Sequence, residues 1–428
     1  MNPTAVEHLF RVACGLYAAS LLAYLAALAK DRKTVGRLAT GLAGAGFVAH
    51  TVWIVVRWYL AAAVEVGAAQ AVGHGVGWGA ALLAHPPLTN LYESLVVTAW
   101  CVVGIYLVFE RRWSLRPVGV IVLGVGLAAM AEAYLVTEKE LRPLAPALQS
   151  WWLASHVIVL FAAYALFLVA AALAFLSLLK AGTPMAAMGV VVAVAVGAIL
   201  AALGFVHGLA HGDFELRGGG GAPVKVGAAG PLLAATIACF VLAAAFWALD
   251  LRMRRSSGRG LLALEAGIAS LLATCSVPFL VARPFASSLK GNYALGLVLV
   301  ALVVSTAFVA LASWREQVLS RLPERVVLDD LTHRAILVGL PLLGLGIVMG
   351  AFWAYDAWGT YWSWDPKEIW SLVSFLVYTL YLHTRRTLGW TGRRTAVIAI
   401  VGFALVVFTY LGVNLGLTGD GLHTYGNG

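Results

Sequence analysis

Residues 358–370 read WGTYWSWDPKEIW, four tryptophans and a tyrosine in thirteen positions, with Asp365, Lys367 and Glu368 set among them. The Asp-Pro-Lys-Glu run is a helix start. Asp365 suits the N-cap, Pro366 the first helical position, and Glu368 at the third completes a capping box. The amide groups and positive dipole end of that helix then face the side on which the indoles gather. An aromatic belt at a membrane interface accounts for one or two tryptophans per helix end. It does not account for Trp353, Trp358, Trp362, Trp364 and Trp370 around one capped turn. Such a shelf suits a large flat ligand bearing carboxylates: the rings take the planar body, and the helix end with Lys367 takes the acids.

Four histidines extend that chemistry. His156, in LQSWWLASHVIVLF, and His423, in GLHTYG, fall on the same side as the shelf in the topology derived below. Two histidines from separate segments can clamp an iron from both faces, and haem, with its two propionates, has the shape the shelf suits. His50, in GFVAHTVW, and His383, in YLYLHTRR, lie within apolar segments, where an ionisable side chain is a functional candidate. A shared iron between these two meets a geometric difficulty. At ~1.5 Å per residue His50 lies ~20 Å from the edge marked by Arg37, and His383 only a few Å from Arg385. Ring nitrogens on one iron stand about 4 Å apart, twice a metal–imidazole bond. A second ligand from a partner chain is the competing arrangement, so His50 is the weaker candidate. Arg57 is read as snorkelling to the outer surface and Glu93 as capping the third span. His8 and His333 are read as interfacial, and His74, His85, His207 and His211 as residues of outer loops.

The elements that must position these residues follow from composition. Of 428 residues 61% are hydrophobic and only 11% charged, too little polar surface for a soluble chain of this length. The class is an all-α polytopic membrane protein. Apolar runs long enough to span lie near 6–29, 38–62, 91–109, 117–136, 152–179 and 186–206, then 231–250, 261–282, 293–312, 333–354, 367–384 and 395–414. About twelve spans are therefore expected, the first retained and not cleaved as a signal peptide. Lys and Arg cluster after odd-numbered spans, in KDRKTVGR, ERRWSLR, LRMRRSSGRG, SWREQVLSRLPERV and TRRTLGWTGRR, whereas 63–90 and 355–366 hold neither. The positive-inside rule then puts both termini, and the tryptophan stretch, outside. The net charge of +9 is thus topological and does not point to nucleic acid. Cys14, Cys101, Cys239 and Cys275 sit singly in apolar runs and form no CxxC pair, which argues against zinc or thiol-redox chemistry. The Gly-rich HGDFELRGGGGAP follows no strand, lacks a P-loop lysine and is read as a flexible outer loop. The organisation expected is a bundle over 1–182, further helices over 183–312, a polar cytoplasmic linker at 313–332 and a last block at 333–428.

The motifs resemble a known family. WGTYWSWDPKEIWSL looks like the WWD signature of the haem-handling proteins of cytochrome c maturation, in the version of the CcsA/ResC branch (system II). LDDLTHRAILVGLPLLGLGIVMGAFWAYDAWG before it, YLGVNLGLTGDGLHTYG after it, and HPPLTNLYESL and LQSWWLASHV earlier also resemble that branch. The resemblance is strong over 326–426, fair over 46–100 and 148–165, and absent over 183–312, which is read as an insertion. It implies that His156 and His423 ligate haem b at the outer shelf and that His383 ligates a second haem within the bilayer. It implies that haem crosses the membrane and is joined through its vinyl groups to the CxxCH thiols of an apocytochrome c. It also implies a CcsB/ResB-like membrane partner, making this chain one half of a cytochrome c synthase. The membrane would be a bacterial cytoplasmic (inner) membrane or a thylakoid-like one. Without the resemblance two other readings stand beside this one: a transporter of another amphipathic solute, and a scaffold whose aromatic loop docks a partner.

Overall fold

The computed structural model describes residues 3–30, 33–73, 75, 77–84, 86–88, 90–113, 115–136, 150–206, 214–216, 224–226, 229–254, 257–281 and 294–413. His74, His85, His207, His211 and His423 lie outside them. Among the described residues the regular structure is helical apart from one two-stranded pairing, and the chain divides into two units.

The first unit comprises residues 1–130, 139–181 and 321–428. It opens with α1 (Pro3–Lys30) and α2 (Lys33–Ala71), packed antiparallel. The buried stripe of α2 runs Gly36, Ala39, Ala43, Gly46, His50, Trp53, Arg57. Its small residues let α1 come close: a Cβ on Gly46 would stand 2.7 Å from the Tyr17 ring, and Ser20 Oγ donates to the Ala39 carbonyl at 2.7 Å. Beyond residue 62 α2 continues well past the span expected of it, and the short α3 (Trp78–Ala84) folds back on that extension through Ala62, Val66 and Ala81. Trp58 Nε1 donates to the Leu82 carbonyl at 2.8 Å across the same hairpin. Next come α4 (Leu91–Trp113) and α5 (Arg116–Val136), where Phe47 seats on Gly104 and Tyr106 on Gly119.

The largest helix pair is α6 (Trp151–Lys180) against α12 (Arg325–Trp358). Gly339 and Gly346 of α12 receive Phe167 and Leu160 of α6, so the two run antiparallel with side chains entering glycine gaps. The last helices of this unit are α13 (Pro366–Thr387) and α14 (Arg393–Val407), the latter passing into a π-helical turn over Phe408–Gly412. Tyr378 of α13 lies between α6 and α14. It stacks on Phe167 at 3.8 Å and 8°, and its other side fills the gap left by Gly402.

The second unit comprises residues 131–138 and 182–320. It holds α7 (Met185–Val206), α8 (Ala229–Met253), α9 (Arg259–Val281) and α10 (Ala294–Ser313). Trp247 of α8 is clasped between Gly189 and Gly260, and Thr236 and Ser270 share a hydrogen bond of 2.7 Å. The glycine-rich segment read as a flexible loop contains β1 (Phe214–Leu216), which pairs antiparallel with β2 (Val224–Val226) just after it. Residues 313–332, the most polar stretch, are largely helical. Here α11 (Arg315–Arg321) follows α10 at an 82° bend, and α12 begins at Arg325.

All twelve apolar runs are helical over their described residues. Among the described residues eight helices are long and apolar enough to cross a membrane, or nine if α10 and α11 count as one bent span. The chain is thus a multi-pass membrane protein. α13 falls outside that set because charged and polar residues interrupt its face.

Candidate functional site

The site is built where the start of α6, the end of α12 and the start of α13 meet. Ser150 caps α6, its hydroxyl accepting from Trp152 N–H at 3.2 Å. Positions 152, 156 and 160 then form one face of the helix. His156, half-buried, bonds through Nδ1 to the Gly346 carbonyl at 2.6 Å. A carbonyl can only accept, so Nδ1 carries the proton and Nε2 keeps its lone pair, the form in which imidazole ligates a metal. Gly350, one turn on, makes the room: a Cβ there would stand 2.6 Å from His156 Cε1. One turn back towards the start of α6, Trp152 stacks on Phe352 at 4.9 Å and 23°.

α12 ends because Gly359 takes φ 75, with its N–H bonded to the Tyr355 carbonyl at 2.8 Å. The tryptophans divide at that point. Trp353 is 2% exposed and meets the half-buried Trp358 edge-on at 4.8 Å, so this pair anchors the loop. Tyr355 and Tyr361 stack at 4.4 Å, with Phe352 against Tyr361. Trp362 and Trp364 stand perpendicular, 5.9 Å apart at 88°, and Trp364 is 67% exposed. Trp364 has φ 60, a left-handed backbone that costs an L residue about 1–2 kcal/mol.

The capping box expected at α13 is present. Asp365 Oδ1 accepts from Lys367 N–H at 2.9 Å, and Glu368 Oε2 accepts from Asp365 N–H at 3.1 Å. Both carboxylates are buried, Asp365 at 5% and Glu368 at 9% exposed, so Asp365 is a structural cap. Lys367, half-buried, interacts electrostatically with both Asp365 and His156, which ties the start of α13 to α6. Trp370 faces the other way along α13, edge-on to Phe408 at 4.6 Å.

The remaining candidates are elsewhere. His383 is exposed on α13, ~25 Å from Pro366 at ~1.5 Å per residue, with Nδ1 3.5 Å from Thr387 Oγ1. His50 is fully buried against Tyr17, whose hydroxyl is 3.3 Å from its Nδ1, and beside Trp53. No hydrogen bond or ring contact joins His50 to His383. Arg57 does not snorkel. It is 7% exposed, its Nε donates to Glu93 Oε1 at 2.7 Å, and its guanidinium covers the Tyr92 ring at 5.5 Å. Glu93 is therefore the ion-pair partner of Arg57 from the first turn of α4. Asn90 Oδ1 does the capping, accepting from Glu93 N–H at 2.8 Å. Sequence reasoning missed Gly346 and Gly350 as the groove for His156, although GIVMG is a small-xxx-small pattern that signals close helix approach. Among the described residues no three His, Cys, Asp or Glu side chains group to hold a bare metal ion.

Comparison with known proteins places this geometry in a family. The model of a family described as cytochrome C assembly protein matches residues 88–216 and 232–419. The matched residues run through most of 183–312, where the motifs alone carried no resemblance. The chain is 34% identical over 346 residues to "Cytochrome c biogenesis protein CcsA" of Nostoc punctiforme, covering 79% of this chain and 80% of that one. Proteins of the same description from Synechococcus elongatus and Synechocystis sp. are each 33% identical, covering 79% of this chain and 79% and 80% of theirs. With shelf, capped helix and histidine in the matched residues, the chain belongs to the CcsA/ResC family of cytochrome c assembly proteins and acts in cytochrome c maturation.

Proposed function

We propose that this protein moves haem across the membrane and holds it at the outer aromatic shelf for thioether attachment to the CxxCH thiols of apocytochrome c. The observation that carries the reading is His156, locked by the Gly346 carbonyl with Nε2 left to ligate and in electrostatic contact with Lys367, at the start of the helix that follows the exposed Trp364. His423 would ligate the same haem iron. Lys367 and the α13 amide end receive propionates, and Trp358, Trp362 and Trp364 orient the macrocycle. Holding vinyl and thiol in register is then the main contribution of the chain, since addition needs little beyond proximity and alignment.

His383 ligates a second haem within the bilayer. Its exposure on α13 supports an opposite ligand from a CcsB/ResB-like partner, whereas His50 is enclosed by α1 and α2. The chain then works as one half of a synthase. Twelve spans put both termini and the shelf outside, in a bacterial cytoplasmic or thylakoid-like membrane, with 183–312 as a separate block of helices.

The test is the absorption spectrum of the detergent-purified protein with its partner, oxidised and reduced. Sharp reduced bands of bis-histidine haem are expected, weakened by His156→Ala or His423→Ala. Bands that survive both and vanish with His383→Ala would assign the trapped haem to the membrane site. A colourless complex in ample haem would leave the transport of another amphipathic solute as the better reading.

A further inference from the structure

The left-handed backbone of Trp364 has a specific cause. Ser363 N–H donates to Glu368 Oε2 at 2.8 Å, and Asp365 N–H donates to the same oxygen at 3.1 Å. Ser363 Oγ also donates to Glu368 Oε1, at 3.2 Å. Amides on either side of one residue converge on a single oxygen when the backbone between them turns left-handed. Such a concavity is an anion-binding nest, and here the anion is the chain's own carboxylate. The capping box accounts for only part of this, because it needs the Asp365 amide and not the two bonds from Ser363. Those extra bonds fall on the residue preceding Trp364, and their consequence is visible. The Trp364 indole stands outward at 67% exposure and perpendicular to Trp362.

We infer that Glu368 is a positioning residue of the haem-attachment site: its carboxylate fills the nest around Trp364 and thereby holds Trp362 and Trp364 as a right-angled corner. A flat macrocycle lying on one indole meets the other edge-on, so the corner is a seat that it cannot slide past. That seat decides which vinyl group faces which incoming thiol. The inference rests on the haem reading proposed above, and it separates the role of Glu368 in reach from its role in charge.

The full chain is co-expressed with its membrane partner and a CxxCH-bearing acceptor, and covalent haem on the acceptor is measured. Amide exchange of residues 360–368 is followed in parallel by mass spectrometry, a readout that needs no haem. Glu368→Asp keeps an acid at the helix start but is one methylene too short to span both amides. Glu368→Gln keeps the cap and can accept both amides through its carbonyl. Expected are faster exchange and at least about 10-fold less attachment for Glu368→Asp, against near wild-type behaviour for Glu368→Gln. Trp364→Gly keeps a left-handed backbone without strain and removes the indole. It should retain slow exchange and lose attachment. Equal loss in Glu368→Gln and Glu368→Asp would show that charge and not reach matters, and would overturn the inference. So would undiminished attachment in Glu368→Asp despite fast exchange, or in Trp364→Gly. If the unaltered complex attaches no haem while the exchange contrast persists, the haem reading itself fails, and the clamp is a device of the fold alone.

Discussion

Gly350 and His156 show how much a single hydrogen atom decides. A methyl group on Gly350 would meet the imidazole at 2.6 Å, and the ring is already pinned through Nδ1 by the Gly346 carbonyl. Gly350→Ala should therefore displace the ring and cut the haem retained by the purified complex, read from the reduced bands. Gly41→Ala, which meets nothing within 4 Å, should leave them unchanged. The buried Arg57–Glu93 pair makes a second residue-scale prediction. Glu93→Gln removes the carboxylate charge bound to the buried Arg57 guanidinium and should lower thermal stability in detergent. Replacing both residues by leucine should recover much of that loss. The Asp365 cap could be read in the sequence because all its partners lie within three residues. The Arg57–Glu93 pair could not, because 36 residues separate its members.

At the scale of elements, α6, α12, α13 and α14 are held by aromatic rings entering glycine gaps. Tyr378 is fully buried between Phe167 and Gly402, and its hydroxyl has no hydrogen-bond partner among the described residues. The ring is thus the useful part. Tyr378→Phe should leave melting temperature unchanged or raised, whereas Tyr378→Ala should lower stability by about 3–5 kcal/mol through the cavity it opens. Hydropathy found these helices well but placed their ends poorly. α2 runs on to Ala71 and α12 begins at Arg325, because a helix continues past its apolar core when polar residues keep good helix propensity. Phe214–Leu216, which pairs with Val224–Val226, lies in a segment whose sequence reads as loop because three-residue strands carry almost no periodic signal.

For the whole molecule, the proposed sidedness makes the remaining prediction. A reporter fused in 252–258 should be active only if it folds in the cytoplasm, and one fused in 73–77 only if it folds outside. The opposite pattern would put the shelf on the wrong face for thiols emerging outside. The membrane class, the helical segments, the aromatic density, the capping box and the family were all legible in the sequence, since each depends on composition or on residues a few positions apart. The sequence did not determine that His156 is locked by a carbonyl 190 residues away, or that His50 and His383 occupy separate surroundings. Nor did it show that Glu368 turns Trp364 left-handed. Those facts depend on which helices pack together and on where one carboxylate points once its turn has closed, so only the tertiary structure decided them.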